Sequence, residues 1–158
     1  MRIVCTILLI IYLTTSGQAV ENYKNIWRLS KPDIYPPYLV DCTNCNDEEI
    51  GAAFECDPER KKITLELYAS ALATGEEDAI MPATLRLSFG DYNQPAKLKL
   101  YEFHGYTPVL SFEFNDPIFN ELKHTRNITI NIKGTISEYS AAGLSPLISE
   151  FLRRCKSQ

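Results

Sequence analysis

The chain is predicted to fold as a mainly β domain with added α structure. An antiparallel sheet, β-sandwich-like, carries a short helix near residues 116–125 and a C-terminal helix near 145–156. Three observations predict this. Segments 63–69, 84–89, 97–103, 109–114 and 127–132 alternate apolar and polar residues with period two, as strands with one wet face do. Turn formers separate them at Thr74-Gly75, at residues 90–93 and at His104-Gly105. Only two segments adopt a helical pattern.

Residues 1–19 read as a cleavable secretory signal. Arg2 supplies the basic start, residues 3–13 form an almost unbroken apolar run, and Gly17 and Ala19 are the small residues before a cleavage point. The run is shorter than the roughly 20 residues a spanning helix needs. Residues 20–41 follow as an extended arm. Pro32, Pro36 and Pro37 exclude regular helix there, and the lone Trp27 is expected to anchor the arm to the core.

Residues 42–158 are read as a single disulfide-stapled, β-rich domain. With Cys5 removed, Cys42, Cys45, Cys56 and Cys155 remain, and an even count in an oxidising compartment implies two disulfides. Every pairing ties Cys155 to the 42–56 cluster. The favoured scheme closes a local loop from Cys42 or Cys45 to Cys56, and leaves the other cysteine for Cys155. The second scheme joins Cys42 to Cys45 and Cys56 to Cys155.

The two helices have readable starts. Asp116 is an N-cap with Pro117 at the first helical position, and Ser145-Pro146 repeats that device. Beyond it, Leu147, Ile148, Phe151, Leu152 and Cys155 fall on one stripe, while Arg153, Arg154 and Lys156 suit the negative end of the helix.

Composition narrows the function classes. The formal charge is −4, and loss of Arg2 with the signal makes it about −5. This acidic balance argues against nucleic acid and against anionic lipid, which require basic patches. No second apolar run is long enough for stable membrane insertion. Cys42-Thr43-Asn44-Cys45 lacks the strand-to-helix setting of a redox pair, and it is one knuckle where a four-cysteine zinc site usually has two. His104 and His124 have no ligand partner at metal-binding spacing, and no nucleophile, phosphate-loop or dinucleotide motif occurs. No catalytic residue, metal or cofactor is therefore expected. Asn127-Ile128-Thr129 matches a glycosylation sequon, relevant only in a eukaryotic secretory pathway.

The expected binding surface comprises the acidic run Glu76, Glu77 and Asp78 together with Tyr92, Tyr101 and Tyr106. Acidic loops suit a basic partner. Tyrosine gives large amphipathic contact area at small entropy cost.

Trp27, the alternating strands from Ile63, Asp116-Pro117-Ile118-Phe119 with Leu122, and the closing stretch from Gly143-Leu144-Ser145-Pro146-Leu147 to Cys155 carry a family likeness. In these the chain resembles small periplasmic proteins of alphaproteobacteria, the invasion-associated locus B type, although its cysteine spacing differs. The resemblance implies a β-sandwich-like exported product without known catalysis, and a host relationship linked to virulence. It carries over no functional residue.

The sequence thus leads to an exported, non-catalytic binding protein in the periplasm or outside the cell. Its partner would be a protein or envelope component, a basic protein among the candidates. A concrete case is a periplasmic inhibitor or immunity protein whose acidic loop at 74–78 blocks a basic enzyme cleft. The alternatives are an envelope hydrolase with paired carboxylates, about 5–9.5 Å apart in glycosidases, and a secreted host-interaction factor.

Overall fold

The computed structural model describes residues 26–43 and 50–157. The expected signal segment and Cys45 lie outside these residues. Among the described residues nine strands form one antiparallel sheet: β1 (Ile26–Leu29), β2 (Tyr38–Cys42), β3 (Ile50–Asp57), β4 (Lys62–Glu66), β5 (Ile80–Leu87), β6 (Gly90–Tyr101), β7 (Gly105–Glu113), β8 (Asn127–Ile132) and β9 (Thr135–Ser140). Their spatial order is β1-β2-β3-β4-β7-β6-β5-β8-β9. Twist curls the sheet until its edges approach each other. The indole Nε1 of Trp27 on β1 donates to the Ser140 carbonyl on β9 at 2.7 Å, so the sheet is a nearly closed barrel. Trp27 is the anchor expected of it, buried and 5.6 Å from the Phe54 ring.

Alternation decides what fills the barrel. Phe54, Ile63, Leu65, Leu85, Leu98, Leu110, Phe112, Ile128 and Ile130 point inward and are buried. Two helices close one end: α1 (Ile118–Leu122) and α2 (Leu144–Lys156). Phe119 of α1 packs against Phe54 and Phe112, and Phe151 of α2 also meets Phe54. The opposite end is crossed by residues 67–79. This crossover includes a 3-10 turn (Tyr68–Ser70) and is pinned by a 2.7 Å contact between the Ser70 and Ser137 hydroxyls.

The proline segment 30–37 is held down by α2. The guanidinium of Arg154 donates to the carbonyls of Ser30, Lys31 and Ile34 at 2.7–2.9 Å. The strands on either side of this segment, 26–29 and 38–42, pair antiparallel in the sheet, and turns at residues 32–33 and bends at 35–36 lie between them.

Several local expectations are corrected. The strand read over 63–69 stops at Glu66. The Leu67 amide still donates to the Pro108 carbonyl, but Pro108 has no N–H to return, so the ladder ends and the chain turns. Residues 90–93 are strand rather than turn. The β5–β6 hairpin turns on Ser88 and Phe89, and the cross-strand pairs Thr84–Asn93 and Arg86–Asp91 hold these turn formers in register. Helix α2 starts one residue before Ser145, after Gly143 at φ 77°, which brings Leu144 into the core. The Asp116 side chain does accept the Ile118 amide at 3.0 Å.

Cys56 is bonded to Cys155, which overturns the favoured pairing and agrees with the second scheme. Cys42 is disulfide-bonded as well. The physical reason is alternation: Cys56 shares the inward face of β3 with Phe54, where the buried stripe of α2 delivers Cys155.

Candidate functional site: a braced hairpin tip

The β6–β7 hairpin projects at the end of the barrel away from the helices. Its turn, residues 102–104, closes through Gly105 at φ 77°, a backbone position that suits glycine. A Cβ at Gly105 would also lie 2.7 Å from the Leu72 carbonyl oxygen. Phe103 at the turn is 89% exposed and Leu100 is 52% exposed. An apolar pair left in water at a strand tip is the kind of feature that marks an interaction site.

On the outer face the tip is braced by a buried carboxylate. Glu66, the last residue of β4, is only 1% exposed. Its Oε2 accepts the Tyr68 hydroxyl, and its Oε1 accepts the Tyr101 hydroxyl and, at 3.3 Å, the Lys99 ammonium. The Tyr68 and Tyr101 rings meet edge to face with centroids 5.6 Å apart, and the His104 ring packs tilted against Tyr68 with centroids 4.7 Å apart. The Lys99 Nζ also lies 6.0 Å from the Tyr101 ring centroid. Three elements are thereby locked together: the end of β4, the 3-10 turn, and the β6 side of the hairpin with its turn.

Burial first, and then hydrogen bonding to Glu66, raise the pKa of Tyr68 and of Tyr101 above the ordinary tyrosine range. Glu55 is the diagonal neighbour of Glu66 across the β3–β4 ladder. Partial desolvation and then the Glu66 charge push its carboxyl up, while Lys99 pulls it down.

The tyrosine shifts have a defined sign. A group whose folded pKa lies above its unfolded value of about 10 contributes stability that is intact below that value and is lost as pH rises. Spectrophotometric titration should therefore show Tyr68 and Tyr101 ionising only as the protein unfolds at high pH. Reversible titration of Tyr68 and Tyr101 near about pH 10, with the fold intact, would contradict this.

On the inner side, the crossover 72–79 runs beside the hairpin. Leu72 and Tyr106 exchange backbone hydrogen bonds at 2.9 and 3.0 Å, and the Asp78 amide donates to the Leu98 carbonyl at 2.9 Å. Gly75 lies against Tyr106 so closely that a Cβ there would be 2.9 Å from the ring. Five of the six residues expected at the binding surface thus meet at this end: Glu76, Glu77, Asp78, Tyr101 and Tyr106. Asp78 pairs with Lys97 at 2.8 Å, while Glu76 and Glu77 are exposed and make no ion pair among the described residues.

Tyr92 does not join them. It lies nine residues from Tyr101 along β6, about 30 Å, and on the opposite face. Its hydroxyl bonds Glu121 of α1; that bond first, and then desolvation, push its pKa up to about 12.

Sequence reading did not single out Glu66, Tyr68, Lys99, Leu100 or Phe103. Phe103 was read as the end of a strand over 97–103, but β6 stops at Tyr101 and the turn takes residues 102–104, which is what leaves Phe103 in water.

A concavity of about 260 Å³ lies between segment 32–37 and α2 and includes Tyr35, Arg153 and Arg154 in its lining. Arg153 is paired with Glu150, and Arg154 is committed to backbone carbonyls. The groove therefore offers packing more than chemistry. Among the described residues no group of three or more His, Cys, Asp or Glu could hold a metal ion, and no helix is long and apolar enough to cross a membrane.

The sequence matches no protein-family model and no curated protein. The fold is similar to a crystal structure of invasion associated protein b from Bartonella henselae. The TM-score is 0.50 over 82% of this chain and 93% of that one, at 10% sequence identity. That agrees, at the level of fold, with the resemblance carried by Trp27, the alternating strands and the closing helix.

Proposed function

We propose that the protein is an exported, non-catalytic binding protein that engages a protein or envelope component through the β6–β7 hairpin end. The observation that carries this reading is Phe103, almost wholly exposed on a mount fixed by Glu66, Tyr68 and Tyr101. A contact residue held rigid before binding loses little conformational entropy on association, so it adds to affinity. Export is supported by the Cys56–Cys155 bond, since structural disulfides persist in oxidising compartments. A periplasmic inhibitor or immunity protein is the form of binding that best fits a projecting loop end. The Bartonella protein of similar fold is named for an association with invasion, which keeps a host-facing role as the neighbouring reading.

The hydrolase reading can draw on Glu55 and Glu66, a same-face carboxylate pair of which Glu66 is the buried member. It is disfavoured because both oxygens of Glu66 are occupied by hydrogen bonds and the side chain is sealed from substrate.

The test is site-specific photo-crosslinking. Benzoylphenylalanine at position 103, illuminated in envelope extract of cells that make the protein, should give a discrete adduct. The same group at position 89 is the comparison, because Phe89 is also exposed, at 71%, but sits in the hairpin turn at the other end of β6. No adduct from 103, or equal yield from both positions, would overturn the proposal.

A further inference from the structure

Resting on that reading, we infer that the partner is a cationic protein surface with an apolar hollow. Phe103 and Leu100 fill the hollow, and Glu76, Glu77 and Glu102 meet its basic rim.

The charge distribution at the hairpin end carries this. Its two lysines are already balanced within the chain: Lys97 pairs with Asp78 at 2.8 Å, and Lys99 with the buried Glu66 at 3.3 Å. Glu76, Glu77 and Glu102 are exposed and make no ion pair among the described residues. Their uncompensated negative charge therefore lies at the same end of the barrel as an exposed apolar pair. An interface with an apolar centre and a complementary charged rim has the anatomy of protein recognition, in which rim charges speed encounter and exclude like-charged partners.

Phe89 provides an internal contrast. It is also exposed, but the flanking ion pair of its hairpin, Arg86 with Asp91 at 2.8 Å, is balanced. An exposed phenylalanine alone therefore does not single out a docking point, whereas one that shares its end of the barrel with unbalanced acids does. The same acids oppose a membrane surface: anionic headgroups would be repelled by the rim that Phe103 must pass to reach them.

The experiment identifies what crosslinks to position 103 and then changes the charge. The expected adduct is with a basic protein. Its yield should fall about tenfold or more in E76K/E77K/E102K, and similarly for the unsubstituted rim in about 0.5 M NaCl, where screening shortens the reach of surface charge to a few ångströms. The salt arm needs no folded variant, so a misfolded triple substitution would not obscure the result. An adduct with a lipid, a glycan or an acidic protein, or a basic-protein adduct indifferent to both salt and charge reversal, would overturn this inference while leaving binding at the hairpin intact. Failure of any adduct to form from 103 in preference to 89 would remove the binding reading itself.

Discussion

Replacing Cys56 and Cys155 together by alanine should lower the unfolding free energy by about 3–5 kcal/mol, which is a large part of the roughly 5–15 kcal/mol that holds a domain of this size folded. The bond joins residues 99 apart in sequence. In the chain-entropy description, a crosslink over about 100 residues restricts the unfolded ensemble by up to about 4–5 kcal/mol. The location adds to this. Cys155 lies on the buried stripe of α2, the helix that closes one end of the barrel, and Cys56 sits on the inward face of β3 beneath it. Without the bond, α2 is retained by Ile148, Phe151, Leu152 and the three carbonyls held by Arg154.

Denaturant titration of the double variant should therefore show a lower midpoint with helix and sheet still forming together, and a thermal midpoint lower by about 10 °C or more. Reductant should shift the unsubstituted protein towards the variant and shift the variant far less. A loss below about 1 kcal/mol would mean that the packing of α2, and not the crosslink, closes the barrel. Non-reducing peptide mapping should recover Cys56 joined to Cys155.

That pairing shows where sequence reading stops. Helical periodicity placed Cys155 on a buried stripe, but the partner depended on recognising residues 50–57 as a strand. They are strand β3, yet Gly51, Ala52 and Ala53 give no alternation of size or polarity to read. Strands β1, β2 and β9 escaped for related reasons. They are four to six residues long, and Ile26 and Ile136 point to solvent where an alternating pattern would be expected to bury them. By contrast β8 was legible in full, because Ile128, Ile130 and Ile132 alternate cleanly with Asn and Thr.

The candidate site was legible only in pieces. Glu76, Glu77, Tyr101 and Tyr106 stand out in the sequence by residue type. Their assembly depends on the crossover from β4 to β5 passing beside the β6–β7 hairpin, which is a property of strand order. Glu66 was illegible for a sharper reason. Alternation assigns it correctly to the outer face of its strand, and an outer-face glutamate is normally hydrated. Here Tyr68, Tyr101 and Lys99 bond the carboxylate where water would otherwise solvate it.

Substituting that carboxylate should have the second large effect. Glu66→Ala removes the acceptor of two tyrosine hydroxyls and the counter-charge of Lys99 at a position 1% exposed, and should cost about 2–4 kcal/mol. Tyr68→Phe leaves Oε2 of the buried carboxylate without its donor and should cost about 1–3 kcal/mol. Glu66→Gln keeps one acceptor oxygen but loses the charge that Lys99 faces, so it should fall between the parent and Glu66→Ala. A double-mutant cycle between Glu66→Gln and Tyr101→Phe should give a coupling of about 1 kcal/mol or more, since the two groups share a bond inside a low-dielectric network. Additive effects would mean that the network is not a unit.

The functional consequence separates bracing from mere stability. Because Glu66 ties β4 to the hairpin and to the 3-10 turn, its loss should raise amide exchange at residues 101–106 more than in β8, which it does not touch. Crosslinking from position 103 should weaken in the same variant, although every exposed contact residue is still present. Equal exchange throughout the barrel, with crosslinking unchanged, would reduce Glu66 to an ordinary stabilising residue and leave Phe103 without its mount.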